Sequence, residues 1–144
     1  MDHKIRAELI SGYILVALGV VDIIRGFMHT FLLSWAAENI AQIDHHPDAL
    51  FLLGVFGNSN FLTGFIFILV GLKVREIAGY VLGMIPVAYL VGILGIRSNG
   101  ITMESAYSGK FMMAVYFGIC VVSCIYFLFS KRRGTGTGRT QISK

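Results

Sequence analysis

The stretch from Gly12 to Leu33, GYILVALGVVDIIRGFMHTFLL, matches the roughly 20 apolar residues that a bilayer crossing requires, yet it carries Asp22, Arg25 and His29 within it. No other feature narrows the fold so far. A charge at the centre of a membrane helix costs roughly 2.5 to 3.5 kcal/mol even on the lenient insertion scales. Such residues therefore face a bundle interior, pair with one another, or line a site. Gly12, Gly19 and Gly26 recur at heptad spacing, and Asp22 and His29 each follow a glycine of that series by three, so all five share one small, polar stripe of a helix. Small residues let helices approach closely in lipid. Arg25 stands three residues after Asp22 and four before His29, the spacing at which helical side chains meet, so Asp22 and Arg25 can neutralise one another. The alternative to a site is a self-paired Asp22–Arg25 that locks the bundle, with His29 donating to a backbone carbonyl.

Composition agrees with a membrane chain of one domain. Of 144 residues, 56% are hydrophobic and 14% charged, against about a quarter charged in soluble domains, and the mean hydropathy is +0.74. Lys4 and Arg6 followed by an apolar run suggest a signal peptide, but the run continues past Ala17-Leu18-Gly19 to Leu33, longer than a signal core, so an uncleaved first helix is expected.

Four apolar runs predict four spans, at about 10–33, 50–72, 77–96 and 111–129. The segments on one side would hold Lys4, Arg6, Lys73, Arg75 and the tail residues Lys131, Arg132, Arg133, Arg139 and Lys144; those on the other hold only Arg97 and Lys110. The positive-inside rule then puts both termini in the cytoplasm. The expected fold is all-α, an integral membrane four-helix transmembrane bundle over residues 1–130, followed by a basic, disordered tail over 131–144. The basic tail has no interleaved aromatics, so it suggests anionic lipid and excludes a nucleic-acid face.

The first outer loop, SWAAENIAQIDHHPD, clusters Glu38, Asp44, His45, His46 and Asp48. These could ligate a divalent metal, but the spacing matches no zinc or di-iron pattern, and adjacent histidines point apart on a helix. The stronger expectation is that Asp48 caps the second span, Pro47 ends the preceding segment and the histidines are solvated. Trp35 reads as an interfacial anchor, and Ala36, Ile40 and Ile43 suggest a short helix on the membrane surface.

In the second span Gly57, Gly64 and Gly71 repeat the heptad interval of the first, and Asn60 lies in register with them. Matching seams predict direct packing of the first two spans, which brings Asn60 towards Asp22 and His29. The third span has Gly79 and Gly83 as GxxxG and an interior Pro86 expected to kink it; Tyr80 and Tyr89 fit core, belt or pocket positions. Ser98-Asn99-Gly100 signals a turn, and the loop beyond it offers Glu104 and Tyr107. Cys120 and Cys124, one turn apart in the fourth span, read as packing residues.

The segment from Phe61 to Ala88, FLTGFIFILVGLKVREIAGYVLGMIPVA, resembles the DoxX-like superfamily of small four-helix membrane proteins: Gly64, Gly71, Lys73, Arg75 and Ala78 stand where that pattern has its glycine-rich second span, basic turn and alanine-rich third span. Members include subunits associated with thiosulfate:quinone oxidoreduction, so the resemblance implies a membrane redox or accessory role. The long acidic first outer loop departs from the commoner short-looped pattern, and no catalytic residue carries over.

No Walker loop, dinucleotide fingerprint, HExxH or nucleophile elbow is present, which leaves catalysis undecided and argues against soluble-type enzyme chemistry. The expected function is a quinone- or lipid-binding subunit of a membrane redox system in the cell membrane, with Asp22, Arg25, His29 and Asn60 around a pocket opening outward. In that reading His29 relays a proton, Asp22 sets its charge and Arg25 holds a carbonyl or anionic oxygen. Quinone is the one cofactor suggested; a haem with two histidine ligands is disfavoured because only His29 lies in a span. The expected partners are membrane lipid and either further copies of the chain or a larger membrane complex. The alternatives are a non-catalytic structural or assembly subunit and, with less support, a small oligomeric transporter or proton conductor.

Overall fold

The computed structural model describes residues 3–100 and 109–136, and at 109–110 and 133–136 the backbone alone. The described residues are helical throughout apart from short connections. α1 spans His3–Phe31, α2 Leu33–Ala36, α3 Pro47–Lys73, α4 Arg75–Ser98 and α5 Gly109–Gly136, with a π-helical turn at Ala37–Ala41 between α2 and α3. Four of these, α1, α3, α4 and α5, are long and apolar enough to cross a membrane. α5 runs beyond its apolar stretch to Gly136; the remainder of the basic tail, with Arg139 and Lys144, lies outside the described residues, as do Glu104 and Tyr107.

α1 is the central helix. It packs against α3 most extensively and against both α4 and α5, and 39% of its apolar span is buried, against 22% in α3, 17% in α4 and 28% in α5. The contact with α3 follows the two glycine series, which run antiparallel and meet in pairs: Gly12 faces Gly71, Gly19 faces Gly64 and Gly26 faces Gly57. At each crossing one backbone lies against the other. A Cβ on Gly19 would sit 2.8 Å from the Gly64 carbonyl oxygen, so no larger residue fits without moving a helix.

The other side of α1 meets α4 and α5 through a cluster of Leu15, Leu18, Ala78, Leu82, Tyr116 and Cys120. The Gly79 and Gly83 pair serves the α4–α5 contact: Gly79 lies under the Phe127 ring and Gly83 beside Cys124 Sγ. Both cysteines are free thiols. α4 runs unbroken through Pro86, which has no N–H to offer the Leu82 carbonyl. α3 and α4 are joined by Val74 alone, whose N–H donates to the Val70 carbonyl at 2.9 Å. Beside this hinge Arg75 donates through Nε to the Gly71 carbonyl at 3.1 Å and lies 5.3 Å from the Tyr13 ring centre, a cation–π contact. Despite that short hinge, α3 and α4 touch little along their length.

At the other end, α2 and the π-helical turn fold back on the start of α3. Ala36 and Ala37 are buried against Leu53, with Ile40, Ile43 and Leu50 around them, and Gln42 ends the turn in the left-handed region at φ 51°. The apolar face expected on the membrane surface is thus turned inward, because two small alanines allow close packing on α3. Trp35 stays half exposed. The cap of α3 also differs from expectation. His46 is the capping residue, its Nδ1 accepting from the Asp48 N–H at 3.4 Å; Pro47 opens the helix where a missing N–H costs nothing, and Asp48 sits in the positive first turn. Ser98-Asn99-Gly100 forms the expected turn, with Gly100 at φ 73°.

Candidate functional site

Asp22 lies about 13 Å along α1 from its Phe31 end, counted at the helical rise. It is 5% exposed, Arg25 4%, His29 4% and Asn60 7%. Four polar side chains inside an apolar bundle must find partners within it. Asp22 finds three, on three helices. Its Oδ1 lies 3.4 Å from Arg25 Nη1, its Oδ2 lies 3.3 Å from Thr63 Oγ1 of α3, and the Tyr116 hydroxyl of α5 donates to Oδ2 at 3.2 Å. Thr63 also lies 3.2 Å and 3.1 Å from the Ser59 and Asn60 carbonyls, and its single hydrogen can serve only one acceptor at a time.

Arg25 is served less well. A guanidinium carries five N–H donors, and here it makes one ion pair at 3.4 Å, longer than the roughly 2.7 to 2.9 Å of a tight charge-assisted bond. Its Nε is buried without a hydrogen-bond partner. The Phe56 ring, 5.8 Å from the guanidinium carbon, supplies a cation–π contact that asks for no hydrogen.

His29 turns away from this pair. The Asn60 amide nitrogen lies 3.4 Å from His29 Nδ1, so with the amide so oriented Nδ1 accepts and a neutral ring carries its proton on Nε2. The His29 ring also stands 5.5 Å from the Phe56 ring. Phe56 is thus in contact with both His29 and Arg25.

Asp22, Arg25 and Asn60 line a cavity of about 260 Å³ whose other walls come from Phe56, Ser59, Thr63 and Phe67 of α3, Ile85, Ala88 and Tyr89 of α4, and Met113 and Tyr116 of α5. All four long helices contribute. Tyr116 and Met113 are its buried side; Phe56, Ser59, Thr63 and Ala88 are exposed, so it opens sideways where α3 and α4 stand apart. The floor is polar and the walls apolar. Its two charged residues, Asp22 and Arg25, are of opposite sign. His29 is not among the lining residues but holds Asn60 from behind. Of the four residues expected at a site, three line one cavity and the fourth positions a member of it.

Tyr116 and Thr63 complete the carboxylate's shell and were not anticipated. A signal for Tyr116 exists: Met113, Tyr116, Cys120, Ser123 and Phe127 are the buried residues among the described side chains of α5 and alternate at spacings of three and four, the stripe of a packed helix. The acidic outer cluster takes no part. Glu38, Asp44, His45, His46 and Asp48 are exposed, and among the described residues no three of His, Cys, Asp and Glu converge as a metal site. His46 Nδ1 lies 3.6 Å from Asp48 Oδ2, and His45 Nε2 lies 3.3 Å from the Ser34 carbonyl. Comparison with family models, curated proteins and solved structures finds no match for this chain.

Proposed function

We propose that this chain is a multi-pass membrane protein, both termini cytoplasmic, that binds a bilayer-dissolved amphiphile, a quinone or a lipid, in the cavity beside Asp22 and Arg25. The observation that carries the reading is the side opening: a polar floor among the apolar stretches of four span-length helices is reached between α3 and α4, the side from which lipid would approach. The volume of about 260 Å³ is just below the usual range of ligand pockets, so it suits a head group or ring whose tail stays in the bilayer. The resemblance of residues 61–88 to the DoxX-like superfamily extends the reading to a subunit of a membrane redox system. Mass spectrometry of the protein extracted in native lipid discs tests it. A stoichiometric quinone or specific lipid that disappears in Asp22→Asn supports the site, and bulk lipid alone in both proteins removes it.

A structural reading has its own observation, since Asp22 ties α1 to α3 and α5 through Thr63 and Tyr116. It predicts that Asp22→Asn lowers stability while the composition of bound lipid stays the same.

A further inference from the structure

Resting on the reading of the cavity as a ligand site, we propose that its ligand presents an uncharged carbonyl, of an ester or a ketone, to the Arg25 guanidinium. Two observations select this head group over an acid or an amine.

The first is charge. Asp22 and Arg25 pair across 3.4 Å, and the cavity they share carries no other ionised side chain among its lining residues. A carboxylate entering beside them would leave one uncompensated negative charge next to Asp22 at membrane depth, and an ammonium would leave a positive one next to Arg25. Either outcome carries the cost that buried unpaired charge always carries in an apolar medium. A neutral head group leaves the balance untouched.

The second is the inventory of hydrogens. The Tyr116 hydroxyl is spent on Asp22, and Ser59 Oγ donates to the Val55 carbonyl at 3.2 Å. Asn60 gives one amide hydrogen to His29. The Tyr89 hydroxyl is turned to Met113 Sδ at 3.7 Å. The donors left over are the Arg25 Nη hydrogens beyond the one on Asp22, in a residue only 4% exposed that lines the cavity, and the second amide hydrogen of Asn60; Arg25 Nε, unpartnered as well, is itself closed off from the cavity. A surplus of donors is satisfied by a group that only accepts. Ester and ketone carbonyls do that, whereas an amine or an alcohol brings hydrogens of its own. The Phe56 ring over the guanidinium and the apolar walls at Phe67 and Ile85 then cover the carbon skeleton.

The test uses the full chain in lipid discs and four probes of matched chain length: methyl dodecanoate, a methyl ketone, dodecanoate and dodecylamine. Binding is read against protein-free discs, with an isotope-labelled carbonyl in the ester followed by infrared spectroscopy. The ester and ketone are expected to bind one per chain, with the labelled carbonyl stretch lowered by hydrogen bonding, and at least about tenfold more tightly than the acid or the amine. Arg25→Lys, which keeps the charge and loses the fork, should weaken the ester about tenfold and return the carbonyl stretch towards its position in protein-free discs. Ala88→Trp, at an exposed position on the mouth where folding is not at stake, should abolish binding of every probe. Tighter binding of dodecanoate, or ester binding indifferent to Arg25→Lys, overturns the carbonyl assignment and leaves the lipid site standing. Probe uptake that Ala88→Trp does not change overturns both.

Discussion

Gly64→Ala tests the close approach of α1 and α3 at the middle of their seam. Its new Cβ would lie 2.7 Å from the Gly19 carbonyl oxygen, 2.7 Å from Ile23 Cγ1 and 3.1 Å from the Ile23 nitrogen. Two of these three neighbours are backbone, so no rotamer change relieves them. Restoring ordinary contact requires α1 and α3 to separate by about 0.7 Å, and a gap of that size forfeits roughly a quarter to a half of the dispersion well for atoms along the seam. The seam runs from Gly12 to Gly26, so the loss is shared by many atom pairs. Overpacking of this kind costs about 1 to 3 kcal/mol. Gly54→Ala is the control inside the same helix, since its Cβ would meet Leu33 Cδ2 at 3.6 Å and the His29 oxygen at 4.0 Å, both ordinary distances; Gly92→Ala meets nothing within 4 Å. Reversible unfolding in mixed micelles titrated with denaturing detergent gives all three free energies on one scale. If Gly64→Ala proves no more destabilising than Gly54→Ala, the close approach of α1 and α3 is not what holds the bundle.

Removing Asp22 as Asp22→Ala should cost about 3 to 5 kcal/mol, because it strands a buried guanidinium, and the double variant with Arg25→Met should recover a large part of that loss; strict additivity in the same unfolding assay would contradict the pairing. Tyr116→Phe keeps the ring and deletes one donor to a buried carboxylate, so a loss of about 1.5 to 3 kcal/mol is expected; a neutral result would mean that Thr63 and Arg25 suffice. A membrane-permeant thiol reagent should modify half-buried Cys124 before fully buried Cys120, as followed by mass spectrometry of the native protein, and the reverse order would contradict the packing of α5.

The helices and the first seam were legible because each is written in one local period. Apolar length marks a span, and equal heptads of glycine in two spans announce that they pack, which the pairing of Gly19 with Gly64 bears out. Asn60 came within reach of His29 on the same reasoning, since one register places both. What stayed hidden depends on residues far apart in the chain. Nothing near Asp22 points to Tyr116, 94 residues later, and a tyrosine in a span is ambiguous until its neighbours are known. A pocket at the polar residues was expected, but opening outward; its side opening was not legible for a related reason: it arises because α3 and α4 stand apart beyond the Val74 hinge, and a divergence between helices leaves no mark in composition. The inward turn of Ala36 and Ala37 escaped because small apolar residues fit a membrane surface and a tight packing face equally well.

The seam between α1 and α3 is periodic, and periodicity alone does not define an alignment. Sliding α3 by one heptad, about 10 Å along its axis, would set Gly12 opposite Gly64 and Gly19 opposite Gly57, keeping two of the three close crossings. The connection over residues 32–46 is long enough to absorb the shift. The polar contacts are not periodic: in the slipped arrangement Asn60 leaves His29, and Thr63 leaves Asp22. The glycines thus act as evenly spaced teeth and the polar residues as the single key, so that a buried asparagine and a buried carboxylate select one alignment out of those the teeth allow.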